Sequence, residues 1–407
     1  MTDKAAFQIL KNETERQTNQ IQLIASENIV SNDVLEAVGS IFTNKYAEGY
    51  PGKRYYGGCE NADAAEQLAI DRITKLFGCK FANVQPHSGT QANLAAYNAL
   101  IEPGDKIMGM SLPEGGHLTH GHSASVISKL YNVVQYGVNN ETHLLNFDEI
   151  RQIALKEKPK LIICGASSYS RKIEWSEFRK IADEVGAWLM ADVAHIAGQI
   201  VTGEHMNPFP HAHIVTSTSH KTLRSARGGI ILTNDEELIN KINSSVFPQT
   251  QGGPLMNNIL GKAVGFGEAL QPSFKEYIIK VNSNSLIMSN YFIDNGHSVV
   301  TNGTDIHYFT LNTKKSFGIT GLRAEQLLLE ANIVVNRNMV PNEEERPFIT
   351  SGIRIGFPTI TTQGYASQDI IRLAVEIENI LKNDDLDYSA TKAKTIVKSI
   401  HIGATNE

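Results

Sequence analysis

The stretch IVTSTSHKTLRSARGG, residues 214–229, contains the features that best indicate the fold and the chemistry of this chain. A β-branched run leads into His220 and Lys221, two arginines and a glycine pair follow, and the apolar residues from Ile230 onward predict a second strand. Burial and nearby positive charge both lower the pKa of a lysine, and Schiff-base lysines become nucleophilic in this way. Lys221 is therefore a candidate nucleophile, and a solvated basic loop is the alternative that these residues leave open.

Short apolar segments alternate with helical segments on both sides of this stretch. The predicted strands are residues 81–84, 106–111, 133–138, 160–167, 187–194, 213–218 and 229–233, and the clearest predicted helices are 147–157 and 176–186. This alternation predicts an α/β fold with a mainly parallel sheet that is covered by helices on both faces. Ligands of such sheets bind beyond the carboxyl ends of the strands. The candidate residues at or just beyond the ends of predicted strands are Ser88, Gly89, Thr90, Ser167, Asp192, His195 and Lys221.

The length of 407 residues predicts more than one domain, because it exceeds what one ordinary core can hold. We expect an N-terminal arm over residues 1–45, a large domain with the ligand site over 46–270 and a small α+β domain over 271–407. A long helical region over 262–296 would link the two domains, and the small domain would contain helices near 324–332 and 369–381. Residues 390–407 are only weakly patterned.

The composition narrows the classes of function. It is that of a globular protein, with 41% hydrophobic and 20% charged residues, and the net charge of −6 argues against a general nucleic-acid binder. No apolar run approaches the roughly 20 residues of a membrane span, and the polar start argues against a secretory signal. Cys59, Cys79 and Cys164 are odd in number and widely spaced, which favours reduced thiols in the cytoplasm over disulfides or a metal site.

The polar residues after the predicted strands suit one kind of ligand. Ser88, Gly89 and Thr90 open a helix whose N–H groups and dipole could bind a phosphate, and an ordinary helix cap is the alternative. Asp192 could pair with a protonated ring nitrogen, while Lys221 could bond to a carbonyl carbon on the same ring. Pyridoxal phosphate requires both of these groups. Taken singly, Asp192 could be a strand-end cap and His195 a core histidine, but their company with Lys221 favours the cofactor.

Arg354 lies in a predicted strand, SGIRIG at 351–356, and is a candidate for binding the carboxylate of an amino-acid substrate. A guanidinium group can bind a carboxylate through two parallel hydrogen bonds. A structural ion pair is the alternative for a single arginine in a strand.

Long blocks of the sequence resemble serine hydroxymethyltransferase of the bacterial type over nearly the whole chain. The blocks are LIASEN (23–28), TNKYAEGYPGKRYYGGCE (43–60), ANVQPHSGTQAN (82–93), GGHLTHG (115–121), KPKLIICGASSYS (158–170), ADVAHIAG (191–198), HKTLRSARGG (220–229), VFPQTQGGPLM (246–256) and FITSGIRIG (348–356). The resemblance implies an aminotransferase-like, fold-type I pyridoxal phosphate enzyme. Its large domain would have a mainly parallel mixed sheet, and its smaller C-terminal domain would be α+β.

The resemblance also implies a role for each matching residue. The lysine matching Lys221 holds the cofactor as an internal aldimine, and the histidine matching His220 influences reaction specificity. Asp192 matches the partner of the pyridine nitrogen, and His117 matches the histidine that stacks on the ring. The other implied cofactor contacts are Ser88, Gly89, Thr90, Ser167 and His195, with Tyr46 and Gly253 reaching the cofactor of a neighbouring subunit. The implied contacts to the amino-acid substrate are Ser26, Tyr56 and Arg354. Glu48 matches the proton shuttle, and Tyr55 lies beside it. The implied contacts to the pteridine are Leu112, Gly116, Leu118, Asn338 and Phe348.

The implied activity is the reversible interconversion of serine and glycine, with transfer of the hydroxymethyl carbon to tetrahydrofolate through aldimine and quinonoid intermediates. The implied protein is a cytoplasmic homodimer with shared active sites, without nucleic-acid or membrane partners and without a metal. Pro113-Glu114 and Ser225-Ala226 depart from the usual family residues.

These departures leave open a pyridoxal phosphate-dependent paralogue that acts on another β-hydroxy or α-methyl amino acid. Such a paralogue would be a folate-independent aldolase or a 2-methylserine-type transferase. A non-catalytic scaffold is the alternative from another class, and the presence of Lys221, Asp192, Glu48 and Arg354 together argues against it.

Overall fold

The computed structural model describes residues 3–405, and its strands are short. They are β1 (Ile21–Gln22), β2 (Gly49–Tyr50), β3 (Lys53–Arg54), β4 (Phe81–Asn83), β5 (Lys106–Met110), β6 (Asn132–Tyr136), β7 (Leu161–Gly165), β8 (Trp188–Asp192), β9 (Ile214–Thr218), β10 (Gly229–Thr233), β11 (Tyr308–Asn312), β12 (Ile333–Val334), β13 (Asn336–Asn338) and β14 (Gly352–Gly356).

Helices connect most of these strands. The α-helices are α1 (Lys4–Asn19), α2 (Asn32–Val38), α3 (Glu60–Phe77), α4 (Gly89–Leu100), α5 (Ile127–Leu130), α6 (Phe147–Glu157), α7 (Trp175–Val185), α8 (Ala197–Thr202), α9 (Glu236–Ser244), α10 (Met256–Ala269), α11 (Pro272–Asp294), α12 (Thr313–Phe317), α13 (Gly321–Glu330), α14 (Pro358–Thr362), α15 (Ser367–Asn383), α16 (Leu386–Tyr388) and α17 (Lys394–Thr405). No helix among residues 3–405 combines the length and the apolar character needed to cross a membrane.

The chain divides into two compact units. The larger unit is Asn28–Ile279, and the smaller unit combines the described residues before position 28 with those from position 280 onward. These divisions fall at other positions than the predicted boundaries after residues 45 and 270, which stay a prediction. The N-terminal segment thus belongs to the same compact unit as the C-terminal part of the chain.

The larger unit contains a seven-stranded sheet with the order β4-β10-β9-β8-β7-β5-β6. Strands β5 to β9 run parallel to one another in this sheet, and β10 pairs antiparallel with both β4 and β9. Every residue of β7, β9 and β10 is buried, as expected for strands that are covered on both faces. The predicted α/β class with a mainly parallel mixed sheet is confirmed.

The strand directions bring several loops to one edge of this sheet. Asp192, the last residue of β8, is in register with Thr216 of β9, and the loop that follows β9 begins two residues later, after Thr218. Gly229 of β10 pairs with Thr218, so β10 starts where β9 ends. Since β4 is antiparallel to β10, its carboxyl end points to the same edge. The loops after β4, β5, β7, β8 and β9 therefore share that edge.

An apolar core lies between the sheet and α4. The buried members of this core include alanines of α4 and strand residues, namely Ala92, Ala95, Ala96, Ala99, Ile107, Ile163, Met190, Ile214 and Ile231. Small alanine side chains let a helix lie close to a sheet without leaving voids. This packing fixes the N-terminus of α4 near the sheet edge.

The smaller unit contains a three-stranded antiparallel sheet, β11-β14-β13, and a parallel pair of β1 with β12. The loop after β1 lies against β14, because the Gly356 N–H donates to the Leu23 carbonyl at 2.8 Å. A Cβ atom at Gly356 would lie 2.3 Å from Ala25 Cα, so a larger residue would push the loop away. Ser26 therefore sits in a loop that is held to the strand carrying Arg354.

The structure adds detail to the sequence analysis at two helical regions. The helical region predicted over 262–296 consists of two helices, α10 and α11, and Pro272 begins the second one, where its missing N–H is tolerated. The described part of the weakly patterned tail, residues 390–405, is helical, with Val397, Ile400 and Ala404 buried in α17. Its β-branched residues lower the helix propensity of this segment, and packing within the folded unit overrides that preference.

Candidate active site

Hydrogen bonds of Ser219 join the two ends of the lysine loop, residues 219–228. The Ser219 Oγ lies 2.6 Å from the Ala226 carbonyl oxygen and 3.1 Å from that of Gly228, and the Ser225 N–H donates to the Ser219 carbonyl at 3.0 Å. The Lys221 carbonyl accepts from the Asn28 Nδ2 at 3.1 Å. These bonds give the loop around Lys221 a defined shape.

Thr222 ties the lysine loop to the start of α8. Its Oγ1 donates to the His195 carbonyl at 2.9 Å and accepts from the Gly198 N–H at 2.9 Å. His195 is only 3% exposed. The structure therefore places predicted residue His195 beside the loop of Lys221.

His220 is held in its neutral form. Burial, together with the positive charges of Arg227, Lys221 and Lys262, lowers the pKa of His220 to about 3. Among the described residues, no hydrogen-bond partner reaches the buried His220 Nδ1. A neutral imidazole with an unsatisfied nitrogen offers a polar contact to a ligand.

We expect His220 to stay uncharged between about pH 5 and 8, and ring-nitrogen NMR should detect no titration there. A histidine in the unfolded chain has a pKa of about 6.5. Between pH 6.5 and 3 the unfolded chain therefore binds more protons, so the free energy of unfolding falls as the pH falls through this window. His220→Gln should lose less unfolding free energy than the wild type between pH 7 and 4. A ring titration midpoint near 6.5 would contradict this picture.

Asp192 is a buried carboxylate surrounded by donors. Its Oδ2 accepts from His120 Nε2 and from Asn93 Nδ2, each at 2.9 Å, and its Oδ1 accepts from the Ala194 N–H at 3.1 Å. Burial alone would raise the pKa of Asp192, but the His120 hydrogen bond, the electrostatic attraction of the His120 and His117 rings, and the Asn93 hydrogen bond hold it well below its usual value. Asp192 is therefore ionised at the end of β8.

The tautomers of the two neighbouring histidines follow from their partners. The main-chain N–H of His117 donates to His120 Nδ1 at 3.1 Å. The ring proton of His120 therefore lies on Nε2 and points at Asp192. The Thr119 N–H likewise donates to His117 Nδ1 at 3.2 Å. Ligand atoms of His117, His120 and Asp192 lie within 4.8 Å of one another. Because His120 commits both nitrogens to these hydrogen bonds, the trio is a positioned hydrogen-bonding group.

The turn before α4 caps this helix beside the end of β9. Ser88 Oγ accepts from the Gln91 N–H at 3.2 Å, so Ser88 does cap the helix. A Cβ at Gly89 would lie 2.7 Å from Thr218 Cγ2, which shows that the helix start touches the end of β9. The first N–H groups of a helix have no acceptor within it and can bind an anion. The turn at Ser88, Gly89 and Thr90 is thus next to the strand that leads to Lys221.

The loops after β5 and β7 meet through Gly115. The Ser167 and Ser168 N–H groups donate to the Gly115 carbonyl at 2.8 and 3.0 Å. Gly116 lies so close to β5 that a Cβ there would be 2.0 Å from the Met110 carbonyl oxygen. This contact brings Ser167 next to the loop of Leu112, Gly116, His117 and Leu118.

Glu114, one of the residues that depart from the family pattern, is bound to the end of the sheet. Its Oε2 accepts from the Val138 N–H at 3.0 Å. A Cβ at Gly137 would lie 1.7 Å from the same Oε2, so the carboxylate fills the space above that glycine. Glu114 therefore stabilises the loop locally.

The Glu48 carboxylate accepts hydrogen bonds from two tyrosine hydroxyls. The Tyr46 hydroxyl donates to Glu48 Oε1 at 3.4 Å and the Tyr56 hydroxyl donates to Oε2 at 3.2 Å, while the two rings pack edge to face at 5.5 Å. The hydrogen bond to Glu48 raises the pKa of Tyr56. A Cβ at Gly253 would lie 3.0 Å from Tyr46 Cζ, and Tyr55 packs on Phe247 at 5.6 Å. Predicted residues from distant parts of the sequence therefore meet here.

Arg354 is buried in the central strand of the small sheet. Its Nε donates to Asn336 Oδ1 at 3.3 Å, and its guanidinium carbon lies 5.5 Å from the centre of the Tyr308 ring. Burial lowers the pKa of Arg354. In the same unit, Asn338 donates to the Met339 carbonyl at 2.6 Å, and Phe348 is 79% exposed.

Comparison with known proteins agrees with this geometry. The family model for serine hydroxymethyltransferase matches residues 1–377. The chain belongs to the serine hydroxymethyltransferase family. The serine hydroxymethyltransferase of Rickettsia massiliae (strain Mtu5) is 54% identical over 398 residues, covering 97% of this chain and 94% of the relative. Those of Rickettsia akari (strain Hartford) and Rickettsia prowazekii (strain Madrid E) are each 53% identical over 393 residues, covering 97% of this chain and 93% of each relative.

The family membership confirms the predicted family and the fold-type I class of pyridoxal phosphate enzymes. The residues of the sheet edge also fit that cofactor chemically. An ionised Asp192 suits a protonated pyridine nitrogen, the start of α4 suits a phosphate, and the unsatisfied His220 Nδ1 suits a further polar group.

Several residues of this candidate site have no role assigned by the sequence. His120 and Asn93 hold Asp192, but in the sequence they are only members of the blocks at 115–121 and 82–93. Asn28 is likewise only a member of the block at 23–28, and its amide also donates to the Tyr277 hydroxyl at 2.8 Å. The Arg224 guanidinium lies 4.6 Å from the centre of the Tyr277 ring, so its charge is directed at an aromatic face.

Proposed function

We propose that this chain transfers the hydroxymethyl group of serine to tetrahydrofolate, leaving glycine, and catalyses the reverse reaction, with pyridoxal phosphate as cofactor. The observation that carries the proposal is the ionised Asp192 at the end of β8, next to the strand that leads into the lysine loop. When bound, the cofactor supplies an electron sink for the substrate α-carbon. Family membership supports the same reaction.

Each residue at the sheet edge has a holding role in this proposal. Lys221 binds the cofactor covalently, Asp192 accepts the hydrogen bond of the ring nitrogen, and His117 covers the ring face. Ser88, Gly89 and Thr90 hold the phosphate, while Ser167 and His195 contact the ring hydroxyl and the substrate. His120 and Asn93 keep Asp192 ionised and oriented, so the ring nitrogen meets a fixed negative charge.

Glu48 moves the proton at the substrate hydroxyl in this proposal. The Tyr46 and Tyr56 hydroxyls both donate to Glu48, so the carboxylate is oriented before substrate binds. Tyr55 lies on the same loop. Tyr46, Tyr55 and Tyr56 are 57%, 74% and 49% exposed, and an exposed aromatic group of this kind suits a surface that another protein covers. We infer a homodimer in which Tyr46 and Gly253 complete the site of the other subunit.

The substrates are held by residues that neutralise charge or offer apolar surface. Arg354, with Ser26 and Tyr56, binds the carboxylate and hydroxyl of serine, since a buried guanidinium is a strong carboxylate ligand. The pteridine contacts are Leu112, Gly116, Leu118, Asn338 and Phe348. Leu118 and Phe348 are 46% and 79% exposed, which leaves apolar surface for an aromatic ligand. We place this activity in the cytoplasm, in keeping with the three free thiols.

The test compares serine cleavage with and without tetrahydrofolate. The purified protein should be yellow, and tetrahydrofolate should strongly increase both serine cleavage and the long-wavelength absorbance that glycine produces. Equal cleavage of a β-hydroxy amino acid without folate would instead establish an aldolase. Faster turnover of an α-methyl serine would establish the methylserine transferase, and a colourless protein that cannot take up the cofactor would establish the scaffold.

Arg354→Lys should lower kcat/KM for serine by about 10- to 100-fold while the affinity for pyridoxal phosphate stays unchanged. This decrease in kcat/KM corresponds to the loss of one or two hydrogen bonds to a charged group, because a lysine ammonium cannot reproduce the two parallel hydrogen bonds of a planar guanidinium group. Steady-state kinetics and cofactor titration measure the two quantities. Arg337→Lys is the matched control, since Arg337 lies on the neighbouring strand and pairs with Glu325 at 2.7 Å. Wild-type kcat/KM in Arg354→Lys would overturn the assignment.

A further inference from the structure

Lys262 is a fully buried lysine that the reaction described above does not use. It lies in α10 and is 2% exposed. Its Nζ donates to the carbonyl oxygens of Val84 at 2.6 Å, Pro86 at 3.1 Å and Gly229 at 3.0 Å. A lysine ammonium has three donors, so the side chain is fully used by main-chain acceptors.

The three acceptors belong to two segments of the candidate active site. Val84 and Pro86 lie between β4 and the turn at Ser88, Gly89 and Thr90, whereas Gly229 follows the lysine loop directly. The Gly229 N–H also donates to the Pro86 carbonyl at 2.9 Å. We call the turn at Ser88, Gly89 and Thr90 the phosphate turn. Lys262 therefore connects the residues just before the phosphate turn with the residue just after the lysine loop.

Retaining this charge in the interior is costly. Burial lowers the pKa of Lys262 to about 7, while the negative charge of Glu66 favours the ammonium form. Glu66 itself is bound by Arg54 at 2.6 Å and by Gln85 at 2.8 Å, so it is not an ion-pair partner dedicated to Lys262. Well-packed apolar residues often replace buried charges without loss of stability. Because burying the ammonium group of Lys262 costs free energy, we infer that this lysine has a role other than stabilising the fold.

The helix that carries Lys262 also fits the lysine loop closely. A Cβ at Gly265 would lie 2.4 Å from Ser225 Cβ, and one at Gly261 would lie 2.7 Å from Ala226 Cβ. Ser225 Oγ lies 3.3 Å from the Gly261 carbonyl oxygen. Ser225 and Ala226, the residues that depart from the family pattern, thus pack on glycines one turn apart, on either side of Lys262.

We propose that Lys262 is a positioning residue that fixes the separation between the phosphate turn and the lysine loop. The inference rests on the proposed function, in which that turn and Lys221 hold two ends of one rigid cofactor. A ligand that uses both ends needs the correct separation, whereas a ligand that uses only the lysine end does not. Lys262 also supplies part of the positive charge that keeps His220 neutral.

The experiment compares pyridoxal phosphate with pyridoxal, which lacks the phosphate, in Lys262→Met. Affinities of the apo protein for both ligands are measured by absorbance titration. We expect the affinity for pyridoxal phosphate to fall by about tenfold or more, and that for pyridoxal to change by less than about twofold. Equal losses for the two ligands, or no loss for either, would overturn the proposal. If Lys262→Met does not fold, Lys262→Gln, which keeps two donors, undergoes the same comparison.

A control separates positioning from general loss of stability. Phe178→Leu truncates a fully buried ring of α7 that packs on Tyr136 and Phe147, away from both segments. It should lower the free energy of unfolding yet preserve the ratio of the two affinities, and a changed ratio in this variant would count against the proposal. Failure of the wild type to bind pyridoxal phosphate more tightly than pyridoxal would instead contradict the proposed function.

Discussion

Lys221→Ala is expected to abolish covalent binding of pyridoxal phosphate and to reduce serine cleavage below detection. Residues 219–228 contain no other lysine, and the nearby Lys262 Nζ already donates to three carbonyl oxygens, so we expect no other amine to replace the lost one. The visible absorbance of the lysine-bound cofactor, and borohydride trapping followed by peptide mass analysis, measure the covalent bond. The phosphate turn and Asp192 remain in the variant, so non-covalent cofactor should still be retained.

Lys180→Ala is the matched control for this experiment. Lys180 lies on the surface of α7 and pairs with Glu177 at 2.6 Å. Its loss should leave cofactor binding unchanged, since surface ion pairs contribute little. Borohydride trapping of the cofactor on another lysine in Lys221→Ala would show that the nucleophile is misassigned.

Glu48→Gln should reduce kcat for folate-dependent serine cleavage by about 10²- to 10⁴-fold, the usual contribution of a general acid–base group. Glutamine keeps the size of the side chain and one oxygen acceptor, so a tyrosine hydrogen bond survives while the ability to carry a proton is lost. Cofactor absorbance and affinity should match the wild type. Stopped-flow measurement of cleavage, with cofactor titration alongside, tests both statements.

Glu60→Gln provides a comparison for the change of charge alone. Glu60 is an exposed acid in the first turn of α3, on the same stretch of chain as Glu48. It should keep wild-type kcat. Retained folate-dependent turnover in Glu48→Gln would remove the proton role from Glu48 and leave it as a structural acceptor for Tyr46 and Tyr56.

Much of the sheet edge could be predicted because strand and helix patterns in this chain are locally strong. β10 and α6 have the predicted bounds, 229–233 and 147–157. Once parallel strands are predicted, the side chains after them must gather at one edge, and this placed Asp192 and Lys221 together. Such reasoning needs only local periodicity and the geometry of parallel sheets.

The supporting residues could not be predicted in this way, because their roles depend on contacts across the fold. A lysine in a helix is normally exposed, so nothing in the sequence around Lys262 indicates burial. The bond from His120 to Asp192 requires the loop after β5 to fold back over β8. The contact of Tyr46 with Gly253 joins two loops whose shapes are set by distant packing. Tertiary contacts, unlike strands, produce no periodic pattern in the amino-acid sequence.

The pairing of β1 with β12 has a consequence for synthesis on the ribosome. Ile21 leaves the ribosome roughly 300 residues before its partner Ile333. Residues 28–279 can complete their sheet while the nascent chain is still growing, because domains fold as units during translation. Strand β1 must therefore remain without its partner strand until the residues around Ile333 have left the ribosome.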